Sequence, residues 1–184
     1  MSNSQLLSFH NWLVDLRREL HQIPELGYQE EKTATKICRV LDELGVPYQT
    51  GVGKTGIVAR VKSPKEGPLV AYRADMDAVH SDAPDPVDFA SETPGVRHIC
   101  GHDVHTTVAV GLAEALSTMR EELPGSVVFF FQPSEENGTG AAAMLPSMLA
   151  ARSAIVNRSW SDRPLEVWPN MRSDSTSASG SGGL

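Results

Sequence analysis

An α/β fold with a mostly parallel central sheet is predicted by three features of the sequence. Two apolar, strand-like stretches, Leu69 to Ala74 and Ser126 to Phe131, flank a helical stretch at 103–121. Strand, helix and strand in that order form a right-handed crossover between parallel neighbours. The run Val127-Val128-Phe129-Phe130-Phe131 is apolar without interruption, as expected of a strand covered by helices on both faces.

The remaining elements follow along the chain. Residues 5–22 read as an amphipathic helix, with Leu6, Phe9, Leu13, Leu16 and Leu20 at spacings of three and four. Pro24-Glu25-Leu26-Gly27 is a turn. A second helix at about 29–44 carries Ala34, Ile37, Val40, Leu41 and Leu44 on one face, with Gly45 as its cap and Pro47 preventing continuation. Cys38 on this helix reads as a small half-buried residue. Gly56 to Val61 is rich in β-branched residues and reads as the first strand. Asp82 to Gly95 contains Pro84, Pro86 and Pro94, so it is a loop and a candidate pocket rim. The helix at 103–121 buries a stripe of Val108, Ala109, Leu112, Ala115, Leu116 and Met119. From Arg152 onward no period is sustained and the chain ends rich in Ser and Gly. The expectation is a folded unit over 1–150 and a non-matching, flexible tail over 151–184.

A length of 184 residues suits one domain. Hydrophobic residues make up 40% and charged residues 21%, a soluble globular balance. The net charge of −7 argues against nucleic acid as a partner. No apolar run is long enough to span a membrane, and Met1 to Gln5 does not begin a signal peptide. Two cysteines are too few for a disulfide framework and fit a reducing cytoplasm.

Three clusters stand at or after strand ends, where an α/β sheet places its chemistry. Arg73-Ala74-Asp75-Met76-Asp77 sets two carboxylates at the end of a buried strand. They need compensation by a metal or a histidine, or else they serve a turn through side-chain-to-backbone bonds. His98-Ile99-Cys100-Gly101-His102-Asp103-Val104-His105 is dense in imidazole, thiolate and carboxylate, the ligands of zinc and its neighbours. Gly101 lets Cys100 and His102 point the same way, and Asp103 opens a helix. Gln132-Pro133-Ser134-Glu135-Glu136-Asn137-Gly138 follows the most apolar strand. Adjacent glutamates there can divide the roles of metal ligand and general base, although such pairs are often only solvated.

Of two competing chemistries the residues exclude one and disfavour the other. Gly51-Val52-Gly53-Lys54-Thr55 resembles the end of a phosphate-binding loop, but that motif needs a glycine where Tyr48 stands and must open a helix. A thiol nucleophile at Cys100 needs a histidine facing it from elsewhere in the fold, whereas Cys100 and His102 more naturally converge on one ion.

Taken in order, these stretches resemble the amidohydrolase branch of the metallopeptidase 20 family, which includes hippurate hydrolases, N-acyl-amino-acid deacylases and auxin-conjugate hydrolases. The matching residues are Arg17 to Gly27, Gly53 to Gly56, Arg73 to Ala78, Cys100 to His105 and Phe131 to Glu136. The resemblance covers residues 5 to about 150. It implies a three-layer, zinc-peptidase-like catalytic domain and two divalent ions, zinc, manganese, cobalt or nickel. It makes Cys100, His102 and Glu136 metal ligands, Glu135 the general base and Asp77 a supporting carboxylate. Asp75, Asp103 and His105 become candidates for substrate contact or ligand support. The substrate class implied is a small N-acyl amino acid, and a homo-oligomer is compatible with it. The family also uses two histidine ligands downstream and an inserted lid domain. This chain has no histidine after His105. The expectation is therefore a truncated catalytic domain with little activity alone, or a non-catalytic fragment that associates with a partner chain.

Overall fold

A computed structural model describes residues 2–156. The first helix, α1 (Asn3–Gln22), starts with a reciprocal cap: Gln5 N–H donates to the Ser2 hydroxyl, and Ser2 N–H donates to the Gln5 side chain. It buries Leu16, Leu20 and His21. The second helix, α2 (Glu31–Glu43), buries Thr33, Ile37, Val40 and Leu41, and ends where Gly45 turns left-handed.

Next come β1 (Tyr48–Val52), β2 (Gly56–Val61), β3 (Leu69–Asp75), the short pair β4 (Val79–His80) and β5 (Val96–Arg97), α3 (His102–Thr118), β6 (Ser126–Gln132) and α4 (Gly140–Val156). The main sheet has the order β1-β2-β6-β3. Its sides are both covered. Ile57, Ala59, Val61, Ala74, Phe129 and Phe131 pack with α1, α2 and α3, whereas Val52, Val58 and Val128 pack with Met144 of α4. The α/β class and layered architecture therefore match the expectation.

The sheet is mixed, not mostly parallel as the strand–helix–strand order suggested. Only β3 and β6, joined through α3, run parallel, with Leu69 opposite Ser126 and Asp75 opposite Gln132. The β1–β2 connection is too short for a crossover and closes as an antiparallel hairpin, and β2 then meets β6 antiparallel. Gly53-Lys54-Thr55 is the tip of that hairpin and opens no helix.

This topology brings three chain segments to one end of the sheet. The ends of β3 and β6 lie side by side, and Met76 N–H extends the ladder to the Gln132 carbonyl at 3.0 Å. The start of α3 closes over them, with Thr106 Oγ1 donating to the Asp75 carbonyl at 2.9 Å. At the opposite end β3 is an edge strand whose Leu69 and Val70 are exposed. The loop expected at 82–95 is bracketed by β4 and β5. No described helix is long and apolar enough to cross a membrane. The boundary placed at 150 falls inside α4, and the tail proper, 157–184, lies outside the described residues.

Candidate metal centre

The centre is built around His102. Gly101, left-handed at φ 81°, is the N-cap of α3 and turns the chain so that His102 enters the site. His102 is buried, and its Nδ1 lies 2.8 Å from the Asp77 carbonyl. A carbonyl can only accept, so Nδ1 carries the proton and Nε2 presents its lone pair. Around Nε2 stand Glu135 Oε2 at 3.7 Å, Glu136 Oε1 at 3.8 Å and Asp75 Oδ2 at 3.9 Å.

Those separations are too long for hydrogen bonds. They are close to the roughly 3–4 Å that separates neighbouring ligands around an ion with bonds of about 2 Å. Lone pairs of one nitrogen and three carboxylates facing each other repel unless a proton or cation lies among them. Burial alone would lower the His102 pKa, but the Asp77 side chain, the Asp77 carbonyl and nearby Asp75 outweigh it and raise it. The donor set thus fits a divalent cation, and the imidazole tied to a carbonyl on its far side is the usual support of a histidine ligand. Two ligand groups can be drawn, His102 with Glu135 and Glu136, and His102 with Asp75 and His105.

Asp77 organises the centre from behind. Its two carboxylate oxygens each accept one backbone N–H, from Glu135 and from Glu136, both at 3.0 Å. Burial pushes its carboxyl pKa up, but hydrogen bonds from His102, Glu136 and Glu135 win and hold it below the ordinary value. One buried carboxylate therefore aims both glutamates and the histidine. The glutamate turn is also strained: Ser134 is left-handed at φ 50°, which costs a β-carbon residue about 1–2 kcal/mol.

The other residues singled out from sequence fall in different places. Asp75 pairs with Arg73 at 2.5 Å and with His105 Nδ1 at 3.2 Å, and the His105 ring stacks on His102. Cys100 is exposed beside Glu136, whose carboxylate is the main cause of a raised thiol pKa. It belongs to neither ligand group. Asp103 faces away from the site and accepts from Arg17 at 3.0 Å and His21 at 2.7 Å. His21 also reaches Asp85 of the 82–95 loop, which Arg97 holds at 2.8 Å. Glu30 carries no signal in the sequence, and His21, His98 and Ser134 lie within motifs there without an individual role. His98 is buried with neither ring nitrogen partnered among the described residues, and burial lowers its pKa to about 4.

The chain is similar to known proteins in sequence and in fold. Residues 71–165 match the family described as "Peptidase family M20/M25/M40". The chain is 43% identical over 154 residues to N-acetylcysteine deacetylase of Bacillus subtilis, covering 80% of this chain and 40% of that protein. It is 44% identical over 133 residues to IAA-amino acid hydrolase ILR1-like 5 of Arabidopsis thaliana, covering 72% of this chain and 30% of that protein. Among solved structures it resembles the YXEP protein of Bacillus subtilis, described as a dinuclear metal binding peptidase. The TM-score is 0.74 at 41% identity, over 77% of this chain and 40% of that one. The chain thus spans between 30% and 40% of the length of these relatives. With this match over more than half its residues, the chain belongs to peptidase family M20/M25/M40.

Proposed function

We propose that this chain carries the N-terminal part of the metal centre of an amidohydrolase acting on small N-acyl amino acids. The observation that carries the reading is the convergence of Glu135, Glu136 and Asp75 on the one available nitrogen of His102. The names of the deacetylase and of the IAA-amino acid hydrolase support the substrate class. His102 and Glu136 hold the ion, with Cys100 beside Glu136 as a further ligand. Zinc, manganese, cobalt and nickel all suit these donors, and the thiolate favours zinc. A bound divalent ion polarises an amide carbonyl and acidifies water. Glu135 accepts a proton from the attacking water and returns it to the leaving amine nitrogen. Its side chain is 38% exposed against 25% for Glu136, which suits a base facing substrate and a ligand held further in. Asp77 fixes the orientation of both. Asp75 and His105 line the opposite side of His102, where they support the ligand or meet substrate.

In this reading residues 1–150 are the first part of the catalytic domain, and the family match runs on to residue 165. The two free cysteines, Cys38 and Cys100, suit a cytoplasmic protein. The resemblance implies that two further histidine ligands complete this centre. A second reading, a non-catalytic fragment that joins another chain, is favoured by the exposed Leu69 and Val70 on the β3 edge. The test is hydrolysis of N-acetyl and N-benzoyl amino acids with and without zinc, manganese or cobalt, with Glu135→Gln as control. Metal-dependent turnover that is lost in Glu135→Gln agrees with the proposal, and metal binding without turnover favours the second reading. Metal-dependent turnover that survives in Glu135→Gln refutes the assignment of the base.

A further inference from the structure

Glu30 is fully buried, with 0% of its surface exposed, yet it pairs with no cation among the described residues. It stands at the N-cap position of α2 but does not cap the helix. Capping is done by Glu25, whose carboxylate accepts from Lys32 N–H at 3.0 Å and Thr33 N–H at 2.9 Å. The Glu30 carboxylate is thereby free for other partners. One oxygen accepts Ser134 N–H at 2.8 Å, and the other accepts the Thr55 hydroxyl.

Ser134 is the residue before Glu135. Its N–H is held by Glu30, and the next two N–H groups are held by Asp77. Two buried carboxylates from distant parts of the chain therefore grip three successive peptide units of the glutamate turn. The left-handed non-glycine residues among those described are Tyr28, Lys54 and Ser134. All three adjoin this junction: Tyr28 is two residues before Glu30, Lys54 precedes Thr55, and Ser134 is bonded to it. Gly27 completes it, since a β-carbon there would lie 2.6 Å from Ser134 Oγ and 3.0 Å from its Cα. Backbone strain gathered in one place persists only where surrounding contacts enforce it.

We infer that Glu30 is a positioning residue for the metal centre: through Ser134 it sets the height and direction of the Glu135–Glu136 turn, as Asp77 does from the other side. The inference rests on the metal-centre reading above. It assigns Thr55 and the β1–β2 hairpin tip a part in the same support.

The test is cobalt binding by the full chain, read as affinity and as the visible spectrum of the complex. Glu30→Ala is expected to weaken binding by about 10–100-fold and to alter the spectrum. Glu30→Gln keeps an acceptor for Ser134 and a donor for Thr55, so binding should return to within about threefold. Glu30→Asp keeps the charge but withdraws it by one methylene, and should bind more weakly than Glu30→Gln. Ile37→Ala, which loosens α2 without touching the turn, should lower stability and leave the spectrum unchanged. A folded Glu30→Ala protein with unaltered affinity and spectrum overturns the inference, as does equal loss in Ile37→Ala. If Glu30→Ala does not fold, an Asp variant that binds as tightly as the Gln variant overturns it. Failure of the unmodified chain to bind cobalt would instead remove the metal-centre reading, and this inference with it.

Discussion

Replacing Asp77 by Asn is the sharpest single test of how the centre is held. The carboxylate accepts Glu135 N–H and Glu136 N–H on separate oxygens, each at 3.0 Å, inside a site with 1% exposure. An amide has one oxygen and one NH2 group. Whichever way it turns, one buried N–H faces another N–H. The change loses a charge-assisted hydrogen bond, about 1.5–3 kcal/mol, and strands a buried donor, about 1–3 kcal/mol. Together roughly 3–5 kcal/mol is lost, a large part of the 5–15 kcal/mol that holds an ordinary domain. At about 2–4 °C per kcal/mol for a chain of this size, the melting temperature falls by roughly 6–20 °C. Zinc affinity should fall about 10–100-fold as well, because the glutamates and His102 lose their aim. Asp103→Asn is the control. Asp103 is equally buried and next to His102 in sequence, but it serves Arg17 and His21. It should cost stability with little effect on zinc. Thermal melts and zinc titration of both variants decide the matter. A melting temperature for Asp77→Asn within 2 °C (roughly 0.5–1 kcal/mol by the same scaling) of the unmodified chain, or equal loss of zinc affinity in both variants, refutes Asp77 as the residue that holds the centre.

Two further outcomes are expected. Burial holds the His98 pKa at about 4, below its ordinary 6.5, so protonation opposes folding. The stability this group contributes is complete above pH 6.5 and is lost as pH falls toward 4, amounting to about 3 kcal/mol. Urea unfolding in a chelator at pH 7 and pH 4, on the unmodified chain and His98→Gln, measures it; identical pH dependence in both would contradict it. On the β3 edge, Val70→Lys places a charge on an exposed strand that otherwise invites pairing. Light scattering should show less self-association, with stability changed by no more than about 0.5 kcal/mol. Unchanged association would mean that the edge is not the sticking surface.

Much of this architecture was legible in the residues because it is periodic. The stripe of α2, most of that of α1 and the apolar runs of β2 and β6 follow directly from burial on one or two faces. By contrast, α3 turns the expected Val108, Ala115 and Met119 outward and buries Thr106, Ala109, Val110, Ala113 and Ser117, and β3 is buried only at its Ala74–Asp75 end. What was misread depends on pairing. Nothing in Gly56 to Val61 records whether its neighbour runs with it or against it, and the hairpin with β1 decided the question. Helix α4 lacks a polar face to mark its period and contains Pro146, so it was not anticipated. Asp75, Asp77, His102, His105, Glu135 and Glu136, which the structure brings together, stand out in the sequence because such side chains concentrate in short motifs at strand ends. Asp103 looked equal to them, yet its carboxylate turns back to α1. Glu30 gave no local sign, since its partners lie 25 and 104 residues away.

His102 belongs to both ligand groups, and this has a consequence for stoichiometry. With Nδ1 committed to the Asp77 carbonyl, the ring has one lone pair to give. Glu135 with Glu136 on one side and Asp75 with His105 on the other are then rivals for the same nitrogen. Filling one group through Nε2 denies it to the other. In the proposed centre the Nε2 atom of His102 serves one ion at a time, so a pair of ions would require the second to be anchored by other ligands, such as the His105 imidazole.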